Sequence, residues 1–145
     1  MTYTQSFNAY KETGVKTASQ GKLVVMLYTE AVRQLDNALD LFEADGKLPI
    51  SSIEKMHKHL TKTQEILTEL MVSLDMERGG EIAKNLMNLY VFFNQTLMSA
   101  SINKDSKKIN DIRTMMDSLR ETWVTISTQT NVPAPNTHPN IDING

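Results

Sequence analysis

Three histidines and the acids and lysines around them are the residues best placed to do chemistry in this chain. Glu54-Lys55-Met56-His57 has the Glu-x-x-His spacing with which four-helix bundles hold a di-iron centre, a centre that needs two such motifs and further inward glutamates. A second copy is missing. His59 lies two positions on, off the same helix face, and His138 sits near the C-terminus. No metal site is expected. His59 with Lys62 one turn later suits phosphoryl relay through an exposed imidazole. Thr61 and Thr63 lack the small side chains that would admit a partner, so a histidine on a polar face is the simpler reading.

The remaining catalytic patterns are absent. Without cysteine, disulfide frameworks, thiolate metal sites and sulfur nucleophiles are excluded. No Ser-His-acid arrangement, G-x-G-x-x-G turn or P-loop occurs, and acids such as Asp36 and Asp40 read as solvating charges on outward helix positions. The chain reads as a non-enzyme with no cofactor.

The elements that would position these residues are helices. Apolar residues make up 40% and charged residues 22% of the 145 residues, the balance of one soluble globular domain. The net charge of −2 supplies no basic face for nucleic acid, and the lysines between Lys55 and Lys62 read as a solvated helix face. The polar stretch Met1 to Tyr10 lacks the basic and apolar regions of a secretory signal. No apolar run reaches membrane-spanning length, so the expected location is the cytosol, without membrane insertion.

All four prolines and most glycines fall between or outside long stretches of helical periodicity. The first helix is expected over Gln20–Ala44, capped by Ser19 or by a Thr17/Gln20 box, with Leu23, Met26, Leu27, Ala31, Leu35, Ala38, Leu39 and Phe42 inward. The second opens at a Ser51/Glu54 capping box and carries Ile53, Met56, Leu60, Thr63, Leu67, Leu70 and Leu74 until Gly79-Gly80. The third, from Glu81, presents Ile82, Leu86, Leu89, Phe93 and Leu97. After a break over Asn103–Ser106 the fourth shows Ile109, Ile112, Met116, Leu119, Trp123 and Ile126, the seam of a bundle. Short connections favour antiparallel neighbours, giving an all-α, up-down four-helix bundle over residues 1–128. Residues 1–18 are expected to form an N-terminal cap segment, and the Asn-, Thr- and Pro-rich residues 129–145 a disordered, flexible C-terminal tail.

The third helix has more apolar residues than one bundle face requires, since Met87, Tyr90, Val91, Phe92 and Met98 add to its stripe. Such a surplus means a partner groove, a homodimer interface or a deeply buried helix. Nine methionines, Met1 among them, supply the flexible thioethers suited to an adaptable surface. Phe7 and Tyr10 have nothing local to pack against and are expected to lie over the bundle, displaceable by a stronger ligand.

Three blocks then resemble the flagellin export chaperones, the FliS family: Asn8-Ala9-Tyr10 through Thr17-Ala18-Ser19, Leu23 and Met26-Leu27-Tyr28; Leu74-Asp75 through Gly79-Gly80-Glu81-Ile82-Ala83, Asn85-Leu86 and Leu89-Tyr90; and Leu119-Arg120 with Trp123. The resemblance implies a cytosolic bundle that binds the disordered C-terminal segment of flagellin, prevents premature polymerisation and presents the subunit to the flagellar type III export gate. It implies client contacts at Phe7, Tyr10, Leu27, Tyr28, Ile82, Leu86, Met87, Leu89 and Tyr90. Of these, Tyr10, Met87 and Tyr90 are expected to line the groove, with Leu86 and Trp123 buried. The chain departs from the family pattern at Gln20, where proline is usual, at Thr29-Glu30 in place of Asp-Gly, and at Val91-Phe92-Phe93, which replaces a polar, arginine-rich stretch.

Overall fold

A computed structural model of the chain describes residues 18–130. Within them, four helices follow one another: α1 (Ala18–Leu39), α2 (Ile53–Ser73), α3 (Gly80–Asn103) and α4 (Ser106–Thr130), with a 3₁₀ turn at Ile50–Ser52 before α2. Each helix packs against the next, and α4 closes the ring against α1. Asp36 opposite Arg113 and Gly21 opposite Ser127 run α1 and α4 antiparallel. His57 with Ser101 and Gln64 with Asn94 do the same for α2 and α3. The all-α, up-down four-helix bundle is therefore the observed fold.

α1 is the helix the others wrap. Leu23, Val24, Leu27, Tyr28, Ala31, Val32, Leu35 and Ala38 are all buried, a stripe wide enough to meet two neighbours at once. α2 adds Met56, Leu60, Ile66, Leu67 and Leu70, α3 adds Tyr90, Phe93, Leu97 and Ala100, and α4 adds Ile109, Ile112 and Met116.

The helix ends differ from the sequence expectation. α1 stops at Leu39 and not Ala44, because i→i+3 bonds from Leu41 to Ala38 and Phe42 to Leu39 tighten the chain out of the α-helix. Leu41 and Phe42 still pack on the core from this turn. Ser19 is already helical and so is no N-cap, while the Thr17 box lies outside the described residues. Ser52 precedes α2 without a side-chain capping bond. The 3₁₀ turn brings the chain into the helix, and the Ser51/Glu54 box is not what starts it.

Between α2 and α3 the chain leaves helix at Leu74, ahead of the glycine pair. The Asp75 carboxylate accepts the N–H groups of Glu77 and Arg78, a turn built by a short acidic side chain. The two glycines then serve different ends. A Cβ at Gly79 would sit 2.5 Å from the Ala83 Cβ and 2.7 Å from the Asp75 carbonyl oxygen, whereas Gly80 needs its φ of +54°. Lys104, at φ 53°, ends α3 in the left-handed region, and the Asp105 carboxylate caps α4 by accepting the Lys108 N–H. α4 runs on through Thr130, into the stretch expected as tail. Residues 1–17 and 131–145, and with them the cap and tail readings, lie outside the described residues.

Candidate partner-binding surface

α3 is not deeply buried. Ile82 is 71% exposed, Ile102 68%, Met98 55% and Phe92 47%, with Val91 also exposed. Its fully buried face is Ala83, Tyr90, Phe93, Leu97 and Ala100; Leu86 and Leu89 pack partly against the core, and the exposed residues above face solvent. The pairs His57–Ser101 and Gln64–Asn94 set the register of α2 against α3 and bring Met71 level with Met87, Thr68 with Tyr90 and Thr61 with Leu97. One flank of α3 therefore lies along α2, where half-buried Met71 and Met87 stand at the same level. The other flank, toward α4, carries half-buried Leu89 and exposed Phe92, whose ring lies 6.1 Å from that of Phe93. Exposed apolar side chains in such concentration mark a place where another chain binds.

The residues expected to contact a client separate into two groups. Ile82 is exposed, and Leu86, Met87 and Leu89 are half-buried along α3. Leu27, Tyr28 and Tyr90 belong to the core. For Tyr90 this corrects a groove-lining placement, and the cause is chemical. The Tyr28 and Tyr90 hydroxyls hydrogen-bond to each other at 2.5 Å across the diagonal of the bundle, so both rings turn inward to satisfy polar tips that burial would otherwise orphan. Burial pushes the Tyr28 phenol up to about 12, against the bonds from Tyr90 and Trp123 that lower it. Tyr90 is raised further, by burial first and then by Tyr28. Trp123, whose ring lies 6.4 Å from that of Tyr28, is half-buried like Leu86, and neither is enclosed as expected. Phe7 and Tyr10 lie outside the described residues.

The groups considered for catalysis hold helices together. The imidazole of His57 bonds the Ser101 hydroxyl across α2 and α3, and no group of three His, Asp or Glu side chains is placed to hold a metal among the described residues. His59 is half-buried, its Nδ1 2.7 Å from the Gln34 Oε1. The Gln34 amide donates in turn to Glu30 at 2.8 Å, and Arg33 grips the same carboxylate with two bonds. This chain of bonds fixes the His59 tautomer with hydrogen on Nδ1. Partial burial, followed by the charges of Lys62, Arg33 and Lys58, lowers the imidazole's pKa. Asp36 is likewise more than a solvating charge. It accepts Arg113 Nε at 2.8 Å and ties α1 to α4. Helix periodicity places such residues at the edges of the apolar stripe but does not pair them across helices, which is why the sequence alone missed these links.

A bundle with a sealed core, polar ties between its helices and one helix left apolar on its outer flanks has the features of a protein that binds another chain. The sequence comparisons narrow the class. The family model described as flagellar protein FliS matches residues 3–130. A flagellar secretion chaperone FliS of Campylobacter jejuni is 32% identical over 120 residues, 81% of this chain and 88% of the relative. One of Salmonella typhimurium is 32% identical over 117 residues, 80% and 82% of the two chains, and one of Bacillus subtilis is 26% identical over 117 residues, 81% and 82%. This chain belongs to the FliS family, a family of flagellar secretion chaperones and not of enzymes. No helix among the described residues is long and apolar enough to cross a membrane.

Proposed function

We propose that this protein is a cytosolic export chaperone that holds the C-terminal segment of flagellin, blocks its premature polymerisation and delivers the complex to the flagellar type III export gate. The observation that carries the reading is the exposure of Ile82, Val91, Phe92, Met98 and Ile102 on one helix of a chain in this family. A client disordered before binding loses conformational entropy when it is held, so it must bury a large surface in return. Apolar anchors laid along both flanks of α3 provide that surface. Ile82, Leu86, Met87 and Leu89 then line the client's path with Phe7 and Tyr10, while Leu27, Tyr28 and Tyr90 shape the core beneath it. Co-purification tests the proposal. Full-length flagellin is retained by the tagged chain and flagellin lacking its C-terminal segment is not; equal retention of the two would sink it.

A further inference from the structure

The chain has no cysteine and nine methionines, so thioethers are its oxidisable sulfur groups. Burial divides those within the described residues. Met56 and Met116 are fully enclosed, Met71 and Met87 are half-buried, and Met26, Met76, Met98 and Met115 are exposed. Their places differ as much as their exposure. Met26 lies on the outer edge of α1 with Lys22, Thr29 and Arg33. Met87, Val91, Met98 and Ile102 follow one another at steps of four, seven and four, which puts them on one side of α3. Asn94 and Ser101, both bonded to α2, place that side toward α2. Two of the four apolar side chains in this row are thioethers, and Met71 of α2 stands level with the first of them.

Resting on the reading of α3 as the client surface, we infer that Met98, with Met87 on the same side of the helix, is a modification site at which oxidation to methionine sulfoxide releases the client. The oxidant is a peroxide. The sulfur lone pair attacks one peroxide oxygen, and an S–O bond forms as the O–O bond breaks. The departing hydroxide takes up the proton of the transferred oxygen and leaves as water. Sulfur loses two electrons and the peroxide gains them. The product carries a strongly polar S=O group where an apolar thioether stood. At an exposed position of the free chaperone this group is hydrated. Under a client it gives up its water to apolar anchors, so the cost falls on the complex alone. Val91 and Ile102, in the same row, have no sulfur and undergo no such change. A methionine sulfoxide reductase removes the oxygen as water at the expense of its own thiols, which makes the modification reversible. Met56 and Met116, enclosed in the core, are spared, so the bundle outlasts the loss of binding.

The full chain is treated with hydrogen peroxide, freed of it, and titrated calorimetrically with the C-terminal segment of flagellin, each protein being compared with its own untreated form. Peptide mass spectrometry locates the added oxygen. Met98 is oxidised before Met56 and Met116, and the Kd of the wild type rises by at least about tenfold, the effect of desolvating one polar group. Incubation with a methionine sulfoxide reductase restores it. In Met87→Leu/Met98→Leu the Kd is the same before and after treatment, because leucine fills a similar volume without sulfur. Met26→Leu removes an exposed thioether from the outer edge of α1 and shows the wild-type rise. Three results each overturn the inference while leaving the client assignment intact: Met98 left unoxidised where Met26 is oxidised, an unchanged Kd in the oxidised wild type, or a rise in Met87→Leu/Met98→Leu as large as that of the wild type. The last of these is also what general unfolding by peroxide would produce. Absence of binding by the untreated wild-type chain overturns the underlying client assignment and this inference with it.

Discussion

α1 and α3 stand at opposite corners of the same bundle and do opposite jobs. Nine of the sixteen residues of α1 from Leu23 to Ala38 are buried, and its polar edges are tied to α2 through Gln34 and His59 and to α4 through Asp36 and Arg113. α3 contributes a narrower buried stripe and leaves large apolar side chains in water. The two are of nearly equal length and meet at the Tyr28–Tyr90 bond. Burial of this broad face, with only its outer edge (Lys22, Met26, Thr29 and Arg33) exposed, makes α1 a scaffold. Incomplete burial leaves α3 with free energy still to gain from a segment laid over it.

Truncating one side chain on each helix separates the two roles. Leu35→Ala removes a fully buried side chain from α1 and should lower the unfolding free energy by about 2–5 kcal/mol, the transfer loss plus the cavity. Met98→Ala trims a side chain already 55% exposed and should change stability by less than about 0.5 kcal/mol, while weakening capture of the flagellin segment. Urea unfolding and co-purification read the two effects. A stability loss for Met98→Ala as large as that for Leu35→Ala would erase the distinction between the helices.

How far the sequence reaches depends on which kind of interaction is asked about. Helix existence and order follow from a local period, so Ile109, Ile112 and Met116 are core residues both by spacing and in the structure. The surplus on α3 was also visible, since Val91, Phe92 and Met98 fall off its inward stripe. Helix ends are less legible, because tight 3₁₀ bonds at Leu41 and Phe42 compete with a helix that composition would continue. Least legible are the polar pairs. Tyr28 and Tyr90 belong to family signature blocks, which suggested contact with a client. Only the geometry shows that two hydroxyls distant in sequence satisfy each other inside the bundle.

That pair joins the two helices under comparison and gives the next prediction. Tyr28→Phe leaves the Tyr90 hydroxyl buried without its partner and should cost about 1–3 kcal/mol. Tyr28→Phe combined with Tyr90→Phe removes both polar groups and should recover much of that loss, since two apolar rings of the same shape need no bond. Strict additivity of the two single losses, measured by denaturant unfolding, would mean that the hydroxyls do not depend on each other. Either way, client binding by the double variant should match wild type, because neither ring reaches the surface of α3.

The smallest expected effect lies on the scaffold side, at His59. Its folded-state pKa is depressed, by partial burial first and then by Lys62, Arg33 and Lys58, below an unfolded value of about 6.5. The unfolded chain therefore binds the proton first as pH falls, and stability must drop along with it. The contribution is present in full above the unfolded pKa and is lost as pH falls toward and through the folded one. Gln34 accepts from Nδ1 whether the ring is neutral or charged, so the bond between α1 and α2 survives and the loss is one of solvation and like-charge repulsion. His59→Gln keeps a donor toward Gln34 but cannot titrate. In urea unfolding at pH 7 and at pH 5.5, wild type should lose more stability than His59→Gln, with the acidic carboxylates common to both. An identical loss in the two proteins would show that His59 is solvated like a free imidazole and that the α1–α2 edge is as open to water as the flank of α3.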